Sequence, residues 1–233
     1  MIPRRAVLLV LAGLFAAPAS AAAAAQPLQL RTADGVTIAA MLYQADGEAP
    51  AVVLVHMYTR TKDDWRPFAE RLLAAGLTAL AIDLRGHGAS GGLSTPAPAM
   101  ALDVQAAIGF LAGHGGVRGI AVVGASLGAS AAIMAAAESP EVRGVALLSP
   151  ATDYRGVRID AALRKYAARP MFLVASTEDP LAARTVRGLV GGTPPVAARE
   201  QRLSLVMAHG TQILDRDPDV ATALVDWLRR TVS

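Results

Sequence analysis

The sequence predicts an α/β protein: a mostly parallel open sheet with helices on both faces. Three observations carry that prediction. Short, largely apolar runs recur along the chain, among them Ala51–Val55, Val142–Leu148 and Met171–Ala175, as strands covered on both faces require. Segments with helical spacing separate them, and strands alternating with helices build parallel sheets. Glycine-rich or Ser/Asp/Pro-containing breaks follow the strands, where the carboxyl edge of an open sheet gathers its loops around a ligand.

The N-terminus has the form of an export leader. Arg4 and Arg5 precede the apolar stretch Ala6–Ala17, and Pro18-Ala19-Ser20-Ala21 carries a small-x-small processing signature. Residues 1–25 are therefore expected to be a signal peptide cleaved at about Ala21 or a few residues later, leaving 26–233 as the working domain. The leucine-rich part is shorter than the roughly 20 apolar residues of a membrane span. The expected location is periplasmic or secreted, with no stable membrane span after cleavage. The chain has no cysteine, which excludes lipid attachment through a cysteine and leaves stability to core packing. Abundant alanine, with arginine in place of lysine nearly throughout, points to a GC-rich bacterial genome.

Beyond the leader, Leu28–Thr32 and Val36–Tyr43 flank Ala33-Asp34-Gly35 as an antiparallel hairpin. After a break at 46–50 comes the strand Ala51–Val55. A helix capped by Asp63 or Asp64 should run to Ala75 and close at Gly76, with Trp65 in the core. Thr78–Leu84 is the next strand, and Arg85–Gly92 a loop too glycine-rich to be regular. A helix over Ala99–Ala112, with Ser94 or Thr95 near its start, leads to a strand from Gly119. Later elements are the strand Val142–Leu148, helical spacing at Ile159, Leu163 and Tyr166, the strand Met171–Ala175 and a helix near Leu181–Val190. The loop Gly191–Pro195, a strand at Leu203–Met207 and a helix near Asp219–Arg230 complete the chain. The segment Ala151–Pro170, about 20 residues, is too short for a separate cap domain.

Charge excludes one class of partner. Removing Arg4 and Arg5 from 22 Lys and Arg leaves a near balance with 19 Asp and Glu, with no basic cluster, so nucleic acid is not an expected partner. No metal-ligand spacing and no dinucleotide fingerprint is present, and no cofactor is expected.

Chemistry concentrates at Gly124-Ala125-Ser126-Leu127-Gly128, between the apolar run 119–123 and the small-residue run 129–137. A serine hydroxyl attacks a carbonyl only when it stands clear of the backbone and a base takes its proton. A sharp strand-to-helix turn supplies the exposure, and glycine two residues to either side removes the side chains that would collide. Gly124 and Gly128 hold those places. Histidine is the natural base, and His56, His87, His114 and His209 are the candidates. Only His209 follows a late strand and precedes a glycine.

Gly124–Gly128, the segment Asp83-Leu84-Arg85-Gly86-His87-Gly88-Ala89-Ser90, Glu178-Asp179-Pro180 and Ala208-His209-Gly210 together resemble the alpha/beta-hydrolase superfamily. The likeness is greatest to its small bacterial esterase-like and dienelactone-hydrolase-like members, and it spans nearly the whole mature chain. It implies Ser126 as nucleophile, His209 as base and then acid, and Asp179 as the carboxylate that orients the imidazole; Asp153 and Glu178 are the alternative acids. It also implies structural roles for Asp83 and His87. The oxyanion donors would be the N–H of Leu127, after the nucleophile, and of Tyr58 or Met57. Met57 stands where relatives usually have glycine.

The expected function is an exported serine hydrolase that cleaves small-molecule ester or related acyl bonds through an acyl-enzyme. A peptidase or amidase and a cofactor-free perhydrolase are the rivals within enzymes. A non-catalytic binding protein is the rival outside them.

Overall fold

The computed structural model describes residues 25–94, 97–191 and 199–233. The expected signal peptide, apart from Ala25, lies outside these residues, as do Thr95 and nearly all of the loop at 191–195.

Strands β1 (Gln26–Arg31) and β2 (Thr37–Tyr43) form the predicted hairpin, turning at Gly35 with φ 84°. The next strand is β3 (Ala49–Val55), followed by a 3-10 turn over Lys62–Trp65 and helix α1 (Arg66–Ala74). The cap here is Thr61, not Asp63 or Asp64: its side chain accepts from the Asp63 N–H. The two aspartates instead occupy the first turn, where the orphan N–H groups favour negative charge. Then come β4 (Thr78–Ile82), α2 (Ala97–Gly113), β5 (Val117–Ala125), α3 (Leu127–Glu138) and β6 (Val142–Leu148).

Between β6 and β9 the chain makes a tiny hairpin, β7 (Asp153–Tyr154) and β8 (Val157–Arg158), then α4 (Asp160–Tyr166). Strand β9 (Met171–Ser176), α5 (Pro180–Val190), β10 (Arg199–Ser204), α6 (Gln212–Arg216) and α7 (Pro218–Val232) complete the fold. The last strand differs from the prediction of Leu203–Met207. As an edge strand paired only with β9, it needs no continuous apolar run, so polar Arg199–Arg202 fill it. Leu205 and Met207, which suggested a strand, are instead exposed beyond its end. Helix α6 was not predicted.

The main sheet has eight strands in the order β1-β2-β4-β3-β5-β6-β9-β10, parallel from β4 through β10. The order reverses between β3 and β5, which opens a crevice beyond their carboxyl ends. Two apolar cores cover the two faces. Alternate residues of β3 serve each: Ala51, Val53 and Val55 face one with α2 and α3, while Val52 and Leu54 face the other with α1 and α7. That division is why the central strands are apolar without alternation. Helix α3 is apolar all round because α2 and α4 flank it on the sheet. Among the described residues no helix is long and apolar enough to cross a membrane.

Candidate active site

Ser126 sits between β5 and α3 with φ 51° and ψ −113°, a conformation that side chains rarely adopt. The turn is tight enough to require both flanking glycines. A Cβ on Gly124 would lie 2.3 Å from the Gly128 carbonyl oxygen, and one on Gly128 would lie 2.4 Å from the carbonyl oxygen of His56. The Ser126 N–H donates to the Leu148 carbonyl at 2.8 Å, which ties the elbow to β6.

Asp179 and His209 come from loops that follow β9 and β10. His209 Nδ1 lies 2.6 Å from Asp179 Oδ2. The other carboxylate oxygen, Oδ1, accepts the Ala182 N–H at 3.2 Å and so caps α5. A carboxylate held by a helix N-terminus on one side is well placed to fix an imidazole on the other. Of the alternative acids, Asp153 Oδ1 accepts the Gly156 N–H within its own hairpin, and Glu178 does not line the cavity that holds Ser126 but an adjoining surface hollow shared with Asp179, His209, Met207 and Arg216.

Ser126, Asp179 and His209 line one cavity of about 330 Å3, together with Met57, Tyr58, Ser149, Pro150, Ala151, Tyr154, Leu181 and Ala182. Its walls are mainly apolar, and among the described residues Asp179 is the one carboxylate that lines it. Leu127 begins α3, where helix geometry leaves its N–H without an intrahelical acceptor. Met57 finds room because residue 210 is glycine: a Cβ there would meet the Met57 sulfur at 2.8 Å, and Gly210 itself has φ 58°.

The other predicted histidines are placed elsewhere. His56 is wholly buried; its Nδ1 lies 2.8 Å from the Met57 carbonyl and its Nε2 accepts the Leu84 N–H at 3.0 Å. That pattern specifies the neutral ring with its proton on Nδ1. Burial lowers its pKa to about 4. His87 packs between the rings of His56 and Tyr58, and His114 packs on Phe110. Asp83 pins the glycine-rich loop. It accepts from the backbone N–H of Lys62 and Ala89 and from the Lys62 ammonium. Burial would raise its pKa, but these donors hold it below the usual carboxylate range.

Two features escaped the sequence reading. Arg85 joins buried Asp103 of α2 to Asp34 of the first hairpin turn; an aspartate within the apolar helix was the available signal. Ser149 is the other. It is buried, lines the cavity with φ 49°, and its Oγ accepts the Gly210 N–H at 2.9 Å, next to His209. Among the described residues no cluster of three His, Asp or Glu could hold a metal ion.

The chain is similar to known hydrolases. The profile of a hydrolase family described as Serine aminopeptidase, S33 matches residues 48–178, more than half of the chain. The match spans β3 through β9, with the elbow inside it, and stops one residue before Asp179. The thiohydrolase apmlB of Arthrinium phaeospermum is 34% identical over 147 residues, which are 60% of this chain and 48% of that protein. The chain thus spans about half the length of the curated relative it matches. Among solved structures, the Pyrococcus furiosus esterase Pf2001 superposes with a TM-score of 0.78 at 21% identity, covering 90% of this chain and 94% of that one. A dienelactone hydrolase from Anabaena variabilis gives 0.71 at 19% identity, covering 90% and 99%. These likenesses describe a shared fold.

Proposed function

The chain belongs to the serine aminopeptidase S33 family of hydrolases, with the alpha/beta-hydrolase fold, and from that premise we propose that it is an exported serine hydrolase of small esters and related acyl compounds. The observation that carries the reading is the convergence of a strained, cavity-lining Ser126 with the hydrogen-bonded pair His209–Asp179. With Nδ1 engaged by Asp179, the His209 Nε2 is left for the serine proton. Ser126 Oγ attacks the substrate carbonyl carbon as its proton passes to Nε2. The oxygen that gains charge is met by the N–H of Leu127 and by an N–H from Met57 or Tyr58. Collapse expels the alcohol, which takes the proton from His209. Water, deprotonated by the same ring, then releases the acid.

The cavity favours esters over peptides with a free amino terminus. An α-ammonium needs a carboxylate partner, and among the described residues the one carboxylate lining the cavity is committed to His209 and the α5 cap. The small hairpin and α4 between β6 and β9 favour compact substrates. The name of the thiohydrolase relative brings thioesters within the proposed range. Export is supported by the leader sequence in residues 1–25.

A fluorophosphonate probe followed by mass spectrometry tests the proposal. Adduct on Ser126, absent in Ser126→Ala and weakened in His209→Ala, is expected, with hydrolysis by Ser126→Ala falling on the order of 10⁴-fold or more. Folded protein that takes no label, or takes it elsewhere, would sink the reading and leave a binding protein on this fold. A matched panel of ester, thioester, anilide and perhydrolysis assays separates the bond types.

A further inference from the structure

The β7–β8 hairpin turns on Arg155 and Gly156, both at positive φ, 52° and 81°. A two-residue hairpin loop with two positive φ values is ordinarily Asn-Gly or Asp-Gly, because those residues tolerate the left-handed region. Arginine has no backbone reason to be there and carries the conformational cost of the position. Its side chain lies against two residues of the active-site cavity. The guanidinium carbon lies 4.8 Å from the centroid of the Tyr58 ring and 5.6 Å from that of Tyr154. Both tyrosines line the cavity that holds Ser126.

A guanidinium held over an aromatic face keeps its N–H groups around its edge, free to donate. Those of Arg155 are uncommitted: among the described residues it forms no ion pair and no hydrogen bond. The adjacent carboxylates are engaged elsewhere, Asp153 with the Gly156 N–H and Asp160 with Arg158. A permanent positive charge therefore rests on two of the cavity's own walls, Tyr58 and Tyr154, without a counter-ion among the described residues.

We infer that Arg155 is a specificity-determining residue that binds a carboxylate or phosphate carried by the substrate, so that the preferred acyl compounds are anionic ones whose apolar part fills the cavity. The inference deepens the proposed hydrolase reading and rests on it. A planar carboxylate accepts two parallel N–H bonds from the guanidinium edge. The pairing adds binding energy remote from the bond being broken and selects against neutral esters of equal size.

The test compares 4-nitrophenyl monoesters of adipic acid with their methyl-capped neutral counterparts. A parallel pair carries the carboxylate, or its methyl ester, on the leaving group, and a phosphate-bearing ester distinguishes the two anions. Wild type should prefer the anionic member of at least one pair by roughly five- to tenfold in kcat/KM, and that preference should shrink as salt rises. In Arg155→Asn, which suits the backbone at this turn, the anionic-to-neutral ratio should collapse toward unity; Arg155→Lys, with the charge but not the fork, should retain part of it. If Arg155 only props Tyr58, both esters weaken together, the ratio stays constant, and the inference is overturned. Wild type with no anionic preference in either pair overturns it as well. Fluorophosphonate labelling of Ser126 runs alongside: label with neutral-ester turnover but no preference refutes the anion subsite alone, whereas no label refutes the hydrolase reading and the subsite with it.

Discussion

Ser149 holds a costly backbone conformation beside His209, and two replacements separate its hydroxyl from its strain. Its Oγ accepts the Gly210 N–H at 2.9 Å in a buried setting. Ser149→Ala leaves that N–H without its acceptor, at a cost of about 1–3 kcal/mol, and keeps a side chain at φ 49°. Ser149→Gly loses the same hydrogen bond but relieves the left-handed strain, recovering up to about 1 kcal/mol relative to alanine. The glycine variant should therefore melt above the alanine variant. Activity should not follow that order. Both variants free the loop that carries His209, and each 1.4 kcal/mol of lost alignment lowers kcat about tenfold. Equal falls in kcat with little change in KM are expected for both, measured on a short nitrophenyl ester beside thermal melts. If both keep kcat within about twofold while melting lower, the Ser149–Gly210 contact stabilises the fold without positioning the histidine.

Two further outcomes follow from the geometry. His56 is neutral in the fold and its pKa is lowered to about 4, so the unfolded chain takes up a proton first as pH falls. Its contribution is full above the ordinary value of about 6.5 and is lost from there down toward the folded pKa, at up to about 1.4 kcal/mol per pH unit. Urea midpoints at pH 7 and pH 5 should diverge in wild type and converge in His56→Gln; an unchanged divergence would place the slope on other groups. Gly128→Ala forces a methyl to within 2.4 Å of the His56 carbonyl oxygen and 2.5 Å of that of Val55. Helix α3 must move away from β3, at a cost of at least about 1–3 kcal/mol. A wild-type melting temperature in that variant would show that the elbow has room the geometry denies.

Much of the fold was legible because buried parallel strands leave an unambiguous pattern. β6 was read to its last residue, and β3, β5 and β9 to within a few, since both faces of each are covered and apolar residues are required throughout. The edge strand β10 was misread for the complementary reason: with one neighbour and half-exposed faces it carries arginine, glutamate and glutamine. The hairpin β7–β8 was missed because two-residue strands have no period to detect.

The residue types of the candidate site were also legible, since the flanking glycines of Ser126 and the glycine after His209 are local steric requirements. What only the tertiary structure decided were the relations between loops distant in sequence. These are the Asp179–His209 hydrogen bond across 30 residues and the Ser149–Gly210 bond across 61, and the guanidinium of Arg155 over Tyr58. The sequence by itself determined strands, helices and the strained turn, because covalent geometry and burial act over a few residues. Which carboxylate meets which imidazole, and what charge lies over Tyr58, depends on how the sheet order brings the ends of β3, β5, β6, β9 and β10 together.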